Sequence, residues 1–448
     1  MARQRTRTPL NVFLNGRRVG QLRKEPSGAI DFQYDESWLA WQHAFPVSLS
    51  LPLREDRYTG EPVIAVFDGL LPDNADIRRR VAERVKADGH DVYDLLSVIG
   101  RDCVGALQFL PDDMEPGPAG RVDGEPATDE RIAALLADLG RTPLGVSSED
   151  DKFRISIAGA QEKTALLFWK RKWHLPHGST ATTHILKPQI GVLRNGIDLS
   201  RSVENEHLCM QLATALGLPT AKTAMAEFGG KRVLVVERFD RRWTTGKGTK
   251  DKRLLRLPQE DCCQALSIPP VRKYQSEGGP GIRQILQFLK ASDDPEADQR
   301  FFIKAQIVFW LLGATDGHAK NFSLFLYPGA GFRLTPLYDV MSLQPSLDAQ
   351  HIKRNRMKLA MSVGKNRHYV LDTILPRHFA QSAEQAGVPG RVVGEVLSEL
   401  AERAPHAVDS AIAALPNNFP DSITASIIGG MQRRLKVIED NSSPSHKG

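Results

Sequence analysis

An α+β fold in two lobes, a strand-rich N-terminal half followed by an all-helical C-terminal lobe, is what the 448-residue sequence predicts. Three observations carry this expectation. Residues 10–34 alternate apolar and polar around Asn15-Gly16, and a strand-rich pattern returns from about 153 to 240. After 245 helical patterns dominate to about 437. Between the two strand regions, 111–127 shifts to PDDMEPGPAGRVDGEPA, a Pro/Gly/acidic linker. The organisation reads as an N-terminal domain over 1–127, a strand-rich lobe over 128–243, a helical lobe over 244–437 and a disordered tail over 438–448.

The elements follow in order. NVFLNGRRVGQL is a hairpin, because Asn-Gly suits a two-residue turn with both residues at positive φ. Segments 76–88 and 90–99 read as helices. After the linker, Thr128 is a candidate N-cap for a helix with Ile132, Leu135, Leu136 and Leu139 on one face and Gly140 just past its end. A polar stretch then leads to RISI, read as a strand that enters AGAQEK and leaves as TALLFW. That turn of small residues can expose backbone N–H groups to phosphates. With one glycine it reads equally well as an ordinary turn. Ile155 and Ile157 alternate inward, which puts Ser156 on the other face. THILKP is a strand ending in Lys187.

In the next helix, SVENEHLCMQLATALG, Glu206 lies among Val203, Cys209, Met210 and Ala213, while Glu204 points the opposite way. A carboxylate on an inward face needs a cation, and Lys187 is the natural partner. A glutamate favoured by the helix dipole is the alternative. RVLVVERFD then ends where a hinge would lie, with the backbone of Glu237, Arg238 and Phe239 available to an adenine ring.

Bulk composition narrows the classes. At 41% hydrophobic and 25% charged residues, the chain is ordinary for a globular protein. Its net charge of +6 permits an anionic partner without requiring one. Cys103, Cys209, Cys262 and Cys263 show no CxxC spacing, which fits a reducing cytoplasm. No signal peptide is visible at the N-terminus. The longest apolar run, FFIKAQIVFWLLGA, is interrupted by Lys304 and Gln306 and is too short to span a membrane.

The most informative stretch is 311–325, LLGATDGHAKNFSLF. The apolar helix over 298–313 ends at Gly313, and Asp316 follows immediately. Asn321 comes five residues later. A strand, a Pro-Gly-Ala-Gly turn and a second strand then lead to Asp339. Phosphoryl transfer needs an acidic group beside the attacking hydroxyl and oxygen ligands for Mg²⁺. Protein kinases place an Asp five residues before a metal-binding Asn, with a second metal-binding Asp after a hairpin. Taken singly, each residue here reads as a turn or loop residue; the ordered set points to phosphoryl transfer.

RISIAGAQEKTALL, THILK, VERFDRRW, RLPQEDCCQ, GGPGI, GATDGHAKNFS, LTPLYDV and PRHF together resemble the HipA family of bacterial serine/threonine kinase toxins. LNGRRVGQL and FDGLLPDN resemble the domain that precedes the family's kinase core. The resemblance covers roughly 10–435. It implies a two-lobed protein-kinase-like fold that binds ATP with Mg²⁺, Asp316 as catalytic base, and Asn321 and Asp339 as metal ligands. It implies an ATP site lined by Ala158, Gly159, Ala160, Gln161, Glu162, Lys163, Lys187, Glu237, Arg238, Phe239, His318, Ala319, Lys320, Asn321, Tyr338 and Asp339, supported by Glu206. Ser156 resembles the family's autophosphorylated serine.

The implied partners are a small dimeric helix-turn-helix antitoxin of the HipB type, operator DNA held mainly by that antitoxin, and an aminoacyl-tRNA synthetase as substrate. Phosphorylation of the synthetase would starve translation and drive growth arrest. After PRHF the chain reads AQSAEQAGVPG, with no basic residue before Arg391, which departs from family members that touch DNA there. A catalytically weak corepressor and a small-molecule kinase on the same fold are the competing readings.

Overall fold

The computed structural model describes residues 7–145, 155–159, 161–245 and 251–442. The chain forms two compact units. One comprises Met1–Pro188, Ala226–Val271 and Ser323–Phe332; the other comprises Gln189–Met225, Arg272–Phe322 and Arg333–Gly448.

The first unit holds a five-stranded sheet built around the predicted hairpin. Leu10–Leu14 pairs antiparallel with Arg17–Lys24, and Asn15 (φ 47°) and Gly16 (φ 82°) form the tight turn that Asn-Gly favours. Phe32, Phe67 and Phe109 fill the space between this sheet and the helix Glu61–Asp68, with ring centroids 5.3 and 5.6 Å apart. Helices Ala75–Val85 and Val92–Ile99 form as expected, capped by the side chains of Asn74 and Asp91. Thr128 caps Asp129–Asp138 by accepting from the Arg131 N–H.

A second sheet runs in the order Lys231–Glu237, His184–Pro188, Thr164–Trp169, Lys172–Pro176, Gly124–Pro126; the strand containing Ala226–Phe228 flanks Lys231–Glu237. The end of the expected linker is therefore an edge strand, with Glu125 registered on Leu175. Strand structure also continues past 245. Arg241–Thr245 pairs with Lys252–Arg256, and Gln259–Asp261 pairs with Ser323–Tyr327.

RISI differs from expectation. Ile155, Ser156 and Ile157 lie in no strand and all three are buried. An alternating triplet that packs on both sides does not present its middle residue to solvent.

Glu260 is a second buried polar group in this unit. One of its oxygens accepts the Leu49 N–H at 2.8 Å. Burial pushes its carboxyl up to about 8, with the hydrogen bond offsetting only part of the shift. A carboxyl whose folded pKa exceeds its unfolded value contributes most below the unfolded value. That contribution is lost as pH rises to about 8. Glu260→Gln should therefore unfold with wild-type stability at acidic pH and be more stable at mildly alkaline pH, by about 3–5 kcal/mol at most. Identical melting midpoints at alkaline pH would contradict this.

Helices dominate the second unit. Pro295–Leu312 begins at the Asp294 cap and ends at Gly313 (φ 65°). Every residue from Phe302 to Leu312 is buried, as in a helix surrounded by others. Lys304 is buried within it and pairs with Glu399 at 2.8 Å. Among the described residues, no helix is long and apolar enough to cross a membrane.

The unit is not all-helical. Lys358–Val363 and His368–Val370 form a hairpin, its turn using Gly364 (φ 82°) and Arg367 (φ 54°). The last helix, Asp421–Ser442, runs past the expected boundary at 437 because Ile438 still packs inside. The remaining tail lies outside the described residues.

Candidate active site

The catalytic-loop candidates are built on the end of the buried helix. Gly313 stops the helix, and Asp316 follows with 60% of its side chain exposed. Its main-chain carbonyl accepts the His318 N–H at 2.8 Å and the Asn321 side-chain amide at 2.8 Å. Asn321 in turn donates its backbone N–H to the His318 carbonyl at 2.9 Å, closing a short 3₁₀ turn over Ala319–Asn321. The five-residue spacing is thus a hydrogen-bonded loop with an exposed carboxylate at one end and a buried amide at the other.

Lys320 is buried, and its carbonyl accepts from the Tyr338 hydroxyl at 2.7 Å. That bond ties the loop to the segment bearing Asp339, which adopts the left-handed conformation at φ 60°. For a residue with a side chain this backbone is uncommon and occurs often at functional sites.

The helix Ser202–Ala215 is fastened to the same segment. Asn205 donates to the Ser342 carbonyl at 2.7 Å and accepts the Ser342 N–H at 2.9 Å. Glu206, the next residue, is 4% exposed, as an inward-facing carboxylate should be. Glu204 was expected to face outward but is 1% exposed, held by the Gln189 amide at 2.6 Å. The helix is covered on more than one side, so polarity on the second face does not mean solvent.

The nucleotide-side candidates lie in the first unit. Gly159 (φ 113°) bridges to Pro72, and its carbonyl accepts the Asp73 N–H at 3.0 Å. A Cβ at Gly159 would strike the Lys163 ammonium, which donates to the Ala158 carbonyl. The loop therefore curls back on its own lysine. Gln161 reaches the Pro188 carbonyl at 3.0 Å and Glu162 pairs with Arg80 at 2.5 Å. Ala160 lies outside the described residues.

Lys187 is buried in the strand His184–Pro188, opposite Leu234. At the expected hinge, the Arg238 N–H donates to the Thr183 carbonyl at 2.9 Å. That donor is therefore engaged within the sheet. Phe239 stands edge-on to Phe325 at 5.9 Å. Ser156 is 0% exposed; its hydroxyl donates to the Leu70 carbonyl at 2.8 Å and its N–H to the Asp102 carbonyl at 3.0 Å.

Sequence reasoning missed Asp102, which organises this region. Its carboxylate takes Arg241 at 2.9 Å, Arg256 at 2.8 Å and Arg238 at 3.3 Å, along with the Thr182 N–H at 3.0 Å. Asp240 binds Arg238 at 2.8 Å and Arg241 at 3.0 Å. Burial alone would raise the Asp102 carboxyl, but the Arg241, Arg256 and Arg238 guanidiniums hold it well below the carboxylate range. Burial pulls Arg241 down to about 10. The Cys103 thiol is pushed up to about 12 by burial, so it is a core residue and not a nucleophile.

The donor set suits a hard cation. Asn321 commits its amide N–H₂ to the main-chain carbonyl of Asp316, which leaves its amide oxygen as the group that could accept a cation, and Asp339 would add a carboxylate. Among the described residues, no cluster of three or more His, Cys, Asp or Glu could cage a metal. An amide and a carboxylate that share an ion with phosphate oxygens are what Mg²⁺ accepts.

Comparisons with known proteins agree over nearly the full length. The HipA-like C-terminal domain model matches residues 155–408, and the HipA N-terminal domain model matches residues 10–110. A putative kinase of Sinorhizobium fredii is 34% identical over 427 residues, covering 92% of this chain and 96% of that protein. The serine/threonine-protein kinase toxin HipA of Shewanella oneidensis is 27% identical over 419 residues, covering 91% and 90%. The solved complex of Shewanella oneidensis HipA, HipB and operator DNA contains a chain that matches with a TM-score of 0.79 at 24% identity, covering 96% of this chain and 98% of that one.

Proposed function

The chain belongs to the HipA family, and from that premise we propose that it is an ATP-dependent serine/threonine protein kinase acting as the toxin of a toxin–antitoxin pair. The observation that carries this reading is the loop Asp316–Asn321, folded so that the buried Asn321 amide donates to the main-chain carbonyl of Asp316, whose carboxylate stays exposed. In this reading the substrate hydroxyl oxygen attacks the γ-phosphorus of ATP and its proton passes to Asp316. The bond to the β–γ bridging oxygen breaks and ADP leaves. Asn321 and Asp339 would hold Mg²⁺, which would neutralise charge on the phosphates. The loop from Ala158 to Lys163, with Lys187 and Glu206, is assigned to the phosphates. Glu237 to Phe239 are assigned to the base. Asp339→Ala should abolish the Mg²⁺-dependent part of ATP affinity in calorimetry. Unchanged Mg-ATP affinity would remove Asp339 from the site.

Ser156 serves as an off-switch in this reading. Phosphorylation adds about −1.5 to −2 charge. The position has no exposure and its hydroxyl donates to a carbonyl, so a phosphate does not fit there. The segment must leave its place and take the adjoining loop with it. The Ser156-phosphorylated chain should therefore not bind ATP, and Ser156→Ala should lack the switch. Calorimetry on the purified phosphoprotein checks this; ATP affinity equal to that of the unmodified chain refutes it.

The proposed partners are a dimeric helix-turn-helix antitoxin of the HipB type and, mainly through it, operator DNA. The proposed substrate is an aminoacyl-tRNA synthetase, whose loss arrests growth. A second reading, a weak kinase acting as corepressor, draws on an observation in the second unit. Lys353, Arg354, Arg356, Lys358, Lys365, Arg367 and Arg377 are all exposed in and around the hairpin at 358–370. Such a surface suits phosphate contacts that add to an antitoxin's own.

A further inference from the structure

The stretch KYQSEGGPGI, residues 273–282, has no role in the reading above. Tyr274 within it donates its hydroxyl to Oδ1 of Asp316 at 2.5 Å. The other oxygen, Oδ2, lies 3.9 Å from Nε2 of His318. His318 and Asn321 bind the main-chain carbonyl of Asp316 and so fix its backbone, not its carboxylate. An exposed aspartate with nothing on its oxygens rotates freely about its side-chain bonds.

Tyr274 is itself held firmly. Its carbonyl accepts the N–H groups of Glu277 at 3.0 Å and Gly279 at 2.9 Å. A Cβ at Gly279 would stand 2.8 Å from that same carbonyl oxygen, so the turn requires glycine there. The neighbouring Gln275 side chain accepts the Ser362 N–H at 2.7 Å and its hydroxyl at 3.0 Å, which bolts the turn to the strand Lys358–Val363. The phenol ring meets His318 edge-on at 5.0 Å.

We propose that Tyr274 is a positioning residue for the catalytic base: its hydroxyl pins one oxygen of Asp316 and leaves the other for the phosphate-accepting hydroxyl. This rests on Asp316 being the base. Fixing the carboxylate plane lowers the cost of reaching the reactive geometry without adding affinity for either substrate. It accounts for a tyrosine on a rigid, glycine-dependent turn beside an otherwise mobile acid.

The test uses the full chain with labelled Mg-ATP, scoring transfer to its own serines and to casein. Tyr274→Phe should lower kcat roughly tenfold to a hundredfold, the factor carried by a hydrogen bond to a charged group. KM for casein and nucleotide affinity should stay unchanged. A fluorinated tyrosine at 274 keeps the shape but has a more acidic phenol, and its phenolate cannot donate. The alkaline limb of kcat should then move to lower pH. This second arm decides the matter even if Tyr274→Phe misfolds. Unchanged kcat in Tyr274→Phe, a loss seen only in KM or nucleotide affinity, or an unmoved alkaline limb overturns the proposal. Asp316→Asn is run in parallel. If it is inactive while Tyr274→Phe is fully active, only the role of Tyr274 falls. If it retains full activity, or if the unsubstituted chain transfers no phosphate, the assignment of the base fails and the proposal with it.

Discussion

Asp316→Asn should leave the chain folded and able to bind ATP while phosphate transfer falls by roughly 10²–10⁴. The substitution is nearly isosteric. Asparagine keeps an oxygen to accept from Tyr274, and the backbone carbonyl still receives Asn321 and His318. The native side chain is largely exposed, so no buried charge is removed and stability should barely change. What disappears is a base to take the proton from the attacking hydroxyl. Nucleotide titration and initial-rate transfer on the same preparation separate the two effects. Transfer near the wild-type rate would show that another group takes the proton.

Asp102→Asn should instead destabilise the fold, by about 3–5 kcal/mol. The cluster holds three guanidiniums, Arg238, Arg241 and Arg256, against two carboxylates, Asp102 and Asp240, all buried. It already carries one excess positive charge. Neutralising Asp102 doubles that excess in a buried site, where solvent screening is weak, and turns an amide N–H₂ toward cations. The loss is a large share of the roughly 5–15 kcal/mol that holds a typical domain together. Denaturant unfolding at neutral pH measures it, and a change below about 1 kcal/mol would mean the cluster behaves as a surface network. Because the Asp102 carboxyl is held well below its unfolded range, its contribution persists at neutral pH and is lost only in strong acid.

These two aspartates also mark how far the sequence could be read. Asp316 was legible because its loop is local. The end of an apolar helix, the five-residue spacing to Asn321 and the strand-turn-strand before Asp339 are all patterns along the chain, and the structure realises them as a capped helix and a 3₁₀ turn. The Asn15-Gly16 hairpin and the Thr128 cap were legible for the same reason. Asp102 was not, because its arginine partners lie 136 to 154 residues away. An aspartate in the run IGRDCVG carries no local sign of them.

Periodicity failed where both faces of a segment are covered. It placed Ser156 and Glu204 outward, but burial on a second side encloses both. Composition failed at the linker, because an edge strand such as Gly124–Pro126 needs only one paired neighbour and tolerates glycine and proline.

The central claim is that this chain moves phosphate from ATP to a protein hydroxyl by means of Asp316. The most direct measurement is incubation of the purified chain with labelled Mg-ATP and a cytosolic extract, followed by mapping of every phosphorylated position, with Asp316→Asn as the control. The account predicts label on serine or threonine of a protein, absent with Asp316→Asn. Label confined to a small molecule, or protein label that persists with Asp316→Asn, would contradict it.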